Sequence, residues 1–219
     1  RRNKKHISMA EMQESIEKVV YGPERRSRII TEEERKITAY HEAGHALVAK
    51  LMPNTDPVQK VSIVARGIKR GITRTLPEDD KTLISRGDFA SHLAVMMGGR
   101  AAEELVFVDV TTEAEGDLER ATKLARSMVT QYGMSEQLGP LTFGEKEELV
   151  FLGKEIGEQR NYSEDVARQI DREIRRLMEE AYEAARRIIT DHRDKLVEIA
   201  EKLMQEETLD AQAFNAIFA

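Results

Sequence analysis

Apolar residues return at three- and four-residue intervals along most of the chain, and the breaks between these runs mark the elements the sequence predicts. Ser8 followed by Glu11 has capping-box spacing, and Met9, Met12, Ile16 and Val19 or Val20 then share a helix face until Tyr21-Gly22-Pro23 stops the pattern. Residues 23–30 are charged and patternless, so a domain boundary is placed there and the main domain opens near Thr31. Thr31 with Glu34 makes a second capping box, and Ile37, Tyr40, Ala43 and Leu47 carry a helix to Leu51, before Pro53-Asn54.

Two short β-favouring runs follow, Val61 to Ala65 and Ile72 to Leu76, separated by Gly67 and Gly71, which predicts a small hairpin or sheet. Helical spacing resumes from Phe89 to Val106 with Gly98 and Gly99 inside it. Each glycine costs roughly 1 kcal/mol against alanine in a helix, so the pair marks close helix packing. Another helix starts near Asp117 and runs through Leu118, Ala121, Leu124, Ala125 and Met128 to Tyr132-Gly133, and a loop with Gly139-Pro140 and Gly144 comes next. Ser163 to Glu206 is nearly continuous helical pattern, read as two helices broken near Thr190-Asp191-His192, and a short helix from Asp210 to Ile217 closes the chain. No internal repeat interrupts this order. The class is mainly α, with a small β element and a C-terminal helical bundle.

Composition narrows the chemistry. The 34 Lys and Arg against 40 Asp and Glu are interspersed, which excludes a nucleic-acid surface. Without cysteine, neither a disulfide framework, a thiolate metal site nor a cysteine nucleophile is available, and any metal must use histidine and carboxylate. No run of 18 apolar residues occurs, so this piece is expected to be soluble. It opens with neither Met nor a signal peptide, as expected of part of a longer protein.

The chemistry-bearing motif is His41-Glu42-Ala43-Gly44-His45, an HExxH pattern inside the capped helix. The i, i+4 spacing stacks both imidazoles on one face, where they converge on one metal ion. Glu42 then reaches a water held at that ion, whose pKa zinc lowers to about 7, and accepts its proton. The alternative, two histidines merely packing, is weaker because Tyr40, Ala43 and Leu47 already supply the helix's apolar side. Catalytic zinc takes a third protein ligand. Besides His6, His92 and His192, the candidates are the carboxylates Glu103, Glu104, Glu113, Glu115 and Asp117, and spacing leaves these open. His92 as a carbonyl polariser is set against a packed helical histidine, which is the commoner case. Ile72 to Leu76 is a candidate edge strand for an extended peptide, against the alternative of an ordinary core strand.

The HEAGH helix, Gly98 to Glu104, Val110 to Thr122, Tyr132 to Leu141 and Val150 to Gly153 together resemble the FtsH family of ATP-dependent zinc metalloproteases, over essentially all of residues 31–219. The resemblance implies a helical zincin-type domain that hydrolyses peptide bonds of unfolded or membrane-derived proteins, with Zn2+ on His41, His45 and, as third ligand, Asp117. It implies that residues 1–30 hold the last helix of a preceding AAA lid and a linker. ATP and Mg2+ belong to an ATPase module outside this chain, which contains no phosphate-binding loop. A homo-hexamer is implied, and for the parent a membrane anchor, in a bacterial inner membrane or an organelle membrane, with the peptidase on the cytoplasmic or matrix side and a role in membrane protein quality control. For Asp117 the competing reading is a helix N-cap, while Glu103 and Glu104 are expected to support the site or form ion pairs. The sequence departs from the family pattern at Glu113, where the family usually has glycine, at Gly116, where it has asparagine, and at Val108, where it has glycine. Glu113 either crowds a turn or adds negative charge near the metal. The rival function is a catalytically impaired metal-binding hexamerisation module of an AAA ATPase.

Overall fold

The computed structural model describes residues 6, 8–23, 31–65, 70–76, 82–144 and 161–219. Gly67, the Val150 to Gly153 motif and all but the first residue of the 23–30 linker lie outside the described residues. Helix α1 spans Met9–Tyr21 and α2 Glu32–Leu51, followed by strands β1, Val58–Ser62, and β2, Ile72–Thr75. Then come α3, Arg86–Phe107; α4, Glu115–Thr130; α5, Glu164–Asp191; α6, Arg193–Glu206; strand β3, Thr208–Asp210; and α7, Ala211–Asn215. Single 3-10 turns, Thr112–Ala114 and Ala216–Phe218, precede α4 and end the chain.

Both expected capping boxes are present, at Ser8 with Glu11 and at Thr31 with Glu34. A third, at Ser85, escapes a reading of the sequence because aspartate stands in for the usual Glu or Gln: Asp88 Oδ2 accepts from the Ser85 amide at 2.7 Å. The long C-terminal pattern breaks at His192, as its spacing predicts.

The core is a stack of helices around α2 and α3. These cross at Gly44 and Gly98, where a Cβ on Gly44 would stand 2.4 Å from the Gly98 carbonyl oxygen. Only backbone without side chains allows that approach. Helix α5 packs on α3, α6 on α2, and α4 bridges α3 and α5. Leu47, Leu93, Met128, Ile170, Ile189 and Leu196 are almost wholly buried between them. At roughly 1.5–3 kcal/mol per fully buried large apolar side chain, this stripe holds the bundle together. Buried Glu173 on α5 receives Ser135 Oγ at 2.7 Å and two guanidinium contacts from Arg176, which ties the loop after α4 to the bundle.

The sheet is antiparallel, in the order β2-β1-β3, and packs against α2. It corrects one expectation and adds a strand that the sequence did not show. The first strand lies at Val58–Ser62 rather than Val61 to Ala65, because pairing with both neighbours runs through Lys60 to Ser62 and only Ile63 extends the ladder, through its amide to Glu207. The third strand has three residues, too few to show a period, and its partner lies far away in sequence. Strand β2 occupies an edge of the sheet, as the candidate edge strand requires.

Helix α1 differs from the others. Met9, Met12, Ile16, Val19 and Val20, its predicted apolar face, are all more than half exposed. No helix among the described residues is long and apolar enough to cross a membrane.

Candidate metal centre

His41 and His45 project from the middle of α2 toward α3 and the start of α4, and both are buried. Their Nε2 atoms stand 3.0 Å apart, and Asp117 Oδ2 lies 3.2 Å from the first and 3.1 Å from the second. Asp117 is not the N-cap of α4. That position belongs to Ala114, and Asp117 sits inside the first turn with its carboxylate aimed at the imidazoles, so the capping alternative fails. Arg120, one turn along, contacts the other oxygen, Oδ1.

The outer nitrogens fix the tautomers. His45 Nδ1 is 2.7 Å from the Val95 carbonyl oxygen, which can only accept, so Nδ1 carries the proton. His41 Nδ1 is 2.7 Å from Glu103 Oε1, and Glu103 Oε2 takes the Thr111 amide at 2.9 Å. With both protons directed outward, two imidazole lone pairs and a carboxylate oxygen face one point. Acceptors cannot satisfy one another, so the triangle requires a cation or extra protons. Ligand atoms around a tetrahedral zinc with bonds of about 2.0–2.1 Å stand roughly 3.3 Å apart, close to the separations observed. Among the described residues, His41, His45 and Asp117 therefore form a group that could hold a metal ion through three protein ligands.

Metal-free, the same geometry stores charge. Burial pulls the His41 imidazole down, but its hydrogen bonds to Asp117 and Glu103, with Glu42 behind, outweigh this and raise it to about 10. Burial pushes Asp117 up, yet the two imidazoles hold its carboxyl well below the usual range. Glu103 is likewise held low: burial opposes ionisation, and His41 and Thr111 overcome it.

Glu42, the next residue on α2, points to the sheet. Thr73 Oγ1 on β2 donates to its Oε2 at 2.6 Å, and Gly71 lies so close that a Cβ there would stand 2.5 Å from Oε1. Burial raises its pKa, against the opposing pull of His45 and His41. A carboxylate so placed has the raised proton affinity that a general base needs.

The other carboxylates separate cleanly. Glu103, wholly buried, supports His41, whereas Glu104 accepts from the Tyr182 hydroxyl. Glu113 pairs with Arg70 at 2.5 Å, so it neither crowds a left-handed turn nor stands free beside the histidines. Glu115 is exposed, and a Cβ on Gly116 would meet nothing within 4 Å, so neither residue strains the Asp117 turn. Val108 does carry the left-handed backbone that suits glycine, with φ of 56° at the end of α3. Among the remaining histidines, His6 and His192 are exposed, and His92 lines a groove rather than the triangle. Sequence reasoning missed Thr73, Gly71, Gly99 and the Val95 carbonyl as parts of the site. The glycine pair Gly98-Gly99 signalled close helix packing but not the contact of Gly99 with the His41 ring.

Residues 28–217 match the model of peptidase family M41. The chain is 59% identical to "ATP-dependent zinc metalloprotease FtsH 1" of Thermomicrobium roseum over 218 residues, covering 100% of this chain and 33% of that protein. It is 58% identical over 218 residues to the protein of the same name from Sphaerobacter thermophilus, with 100% and 33% covered. "ATP-dependent zinc metalloprotease FtsH 1" of Thermoanaerobacter sp. is 52% identical over 218 residues, with 100% and 36% covered. The chain spans about a third of the length of these relatives. Family model, whole-chain identity and the acceptor triangle that the HExxH helix forms with Asp117 agree: the chain belongs to peptidase family M41.

Proposed function

We propose that this chain is the proteolytic part of an ATP-dependent, membrane-anchored protease and that it hydrolyses peptide bonds of unfolded or membrane-derived proteins with zinc held by His41, His45 and Asp117. The observation that carries this reading is the convergence of three acceptors on one point, 3.0–3.2 Å apart, with Glu42 on the same helix. Zinc there would polarise the scissile carbonyl and make water nucleophilic at neutral pH.

Glu42 takes the proton of the attacking water as its oxygen bonds to the carbonyl carbon, and returns it to the amine nitrogen as the C–N bond breaks. Thr73 holds the carboxylate that performs both transfers. Glu103 and the Val95 carbonyl keep the imidazole lone pairs directed inward. The edge strand β2 offers an extended substrate a line of backbone groups alongside Glu42.

The bared apolar face of α1 supports residues 1–30 as the closing helix of an AAA lid followed by a linker, with the peptidase domain in residues 31–219. In the parent, a homo-hexamer with its peptidase on the cytoplasmic or matrix side of the membrane accounts for the resemblance. The impaired-module reading would leave Glu42 without a task. Stripping zinc with a chelator should abolish cleavage of unfolded casein by the chain, and adding zinc back should restore it. Cleavage that survives full zinc removal would refute the proposal.

A further inference from the structure

A groove of about 240 Å³ opens beside the metal centre, bounded by Ala49, Val95 and Met96 and rimmed by Asp56, Thr75 and His92. Pockets for whole drug-sized ligands run to roughly 300–1,000 Å³, so this volume suits a single side chain. Three connections tie it to the chemistry. Ala49 follows His45 by one turn on the same face of α2, about 6 Å along the axis. Val95 lines the groove and also anchors His45 through its carbonyl. Thr75 lies two residues along β2 from Thr73, which holds Glu42, and faces the same side of the strand.

Resting on the peptidase reading above, we infer that this groove is a substrate subsite for a long aliphatic or aromatic side chain, about two residues to the N-terminal side of the cleaved bond. Position follows from the strand. An extended peptide rises about 3.3 Å per residue, so a substrate on β2 with its reacting carbonyl near Glu42 carries the side chain two residues away over the groove. Antiparallel pairing, the more stable mode, puts the substrate's N-terminal half at the Thr75 end. Chemistry follows from the lining. Ala49, Val95 and Met96 offer apolar contact, and Met96 can adjust to different shapes. Asp56 has no hydrogen-bond or ion-pair partner among the described residues, so its carboxylate stands ready to repel an acidic side chain.

The test is cleavage of a degenerate peptide library by the zinc-loaded chain, with products sequenced by mass spectrometry, for wild type, Met96→Ala and Asp56→Asn. In wild type, Leu, Met and Phe should be enriched and Asp and Glu depleted at one position N-terminal to the cut. Met96→Ala should shift that position toward bulkier rings. Asp56→Asn should raise kcat/KM for peptides with Glu there by about fivefold, the equivalent of relieving one partly screened like-charge contact. If the wild type cleaves but both variants keep its preferences, or the preferences change only beyond the cut, the subsite is refuted while the peptidase stands. If the zinc-loaded wild type cleaves no peptide, the peptidase reading fails and takes the subsite with it.

Discussion

Gly99 faces the ring of His41 so closely that a methyl group on it would stand 2.4 Å from Cε1 and 2.6 Å from each ring nitrogen. Helix α3 therefore closes one side of the imidazole while Glu103, one turn further along, fixes its proton. Alanine suits a helix better than glycine, so Gly99→Ala should leave the helical signal in circular dichroism unchanged. The displaced ring should cost at least about tenfold in zinc affinity, the scale of a disturbed ligand shell. Titration with zinc reads the loss, and unchanged affinity would mean that the ring has room to move.

Glu103→Gln should weaken zinc binding by about 10–100-fold while the chain stays folded. Glu103 serves two donors, His41 Nδ1 and the Thr111 amide, through two oxygens. Glutamine has one acceptor oxygen, so one donor loses its partner. Competition against a chromogenic chelator measures the change, and wild-type affinity would show that the tautomer needs no carboxylate.

Zinc loading should release at least one proton near pH 8, from His41, with the metal-bound water adding to the count. In the metal-free chain the His41 pKa is raised from 6.5 to about 10 by Asp117 and Glu103 against burial, so the ring is protonated at that pH. The sign for stability follows. The contribution of His41 to the metal-free fold is full below about pH 6.5 and is lost as pH rises through about 10. Zinc affinity should correspondingly rise by up to about tenfold per pH unit between those limits. Calorimetry in buffers of different ionisation enthalpy counts the protons, and a count of zero would mean that the metal-free His41 ring is already neutral at pH 8.

Val108→Gly should stabilise the chain. A β-branched residue at φ of 56° carries a penalty of roughly 1–2 kcal/mol, and Val108 is exposed, so no packing is lost with its side chain. After the entropy cost of glycine the gain is about 1 kcal/mol, or a Tm increase of roughly 2–4 °C. Thermal unfolding measures it, and a lower Tm would show that Val108 makes a compensating contact.

The HExxH helix was legible because its meaning lies in local spacing: a capping box, an apolar side and two histidines four apart. The glycine pair in α3 was legible for the same reason. Asp117 was not singled out by spacing, since its approach to α2 depends on how α3, the Thr112–Ala114 turn and α4 fold back over 76 residues, and only family resemblance picked it from its neighbours. Strand β3 and the register of β1 escaped because both are set by pairing between distant segments. The Val95 carbonyl was invisible in principle, as every residue has one.

The most direct measurement is zinc content alongside casein cleavage for the wild type, Glu42→Gln and Asp117→Ala. Glutamine keeps the bond from Thr73 but cannot accept the proton, so Glu42→Gln should retain zinc and lose cleavage by about 10²–10⁴-fold. Asp117→Ala removes the third acceptor and should lose both zinc and activity. Full cleavage by Glu42→Gln, or undiminished zinc in Asp117→Ala, would contradict the account.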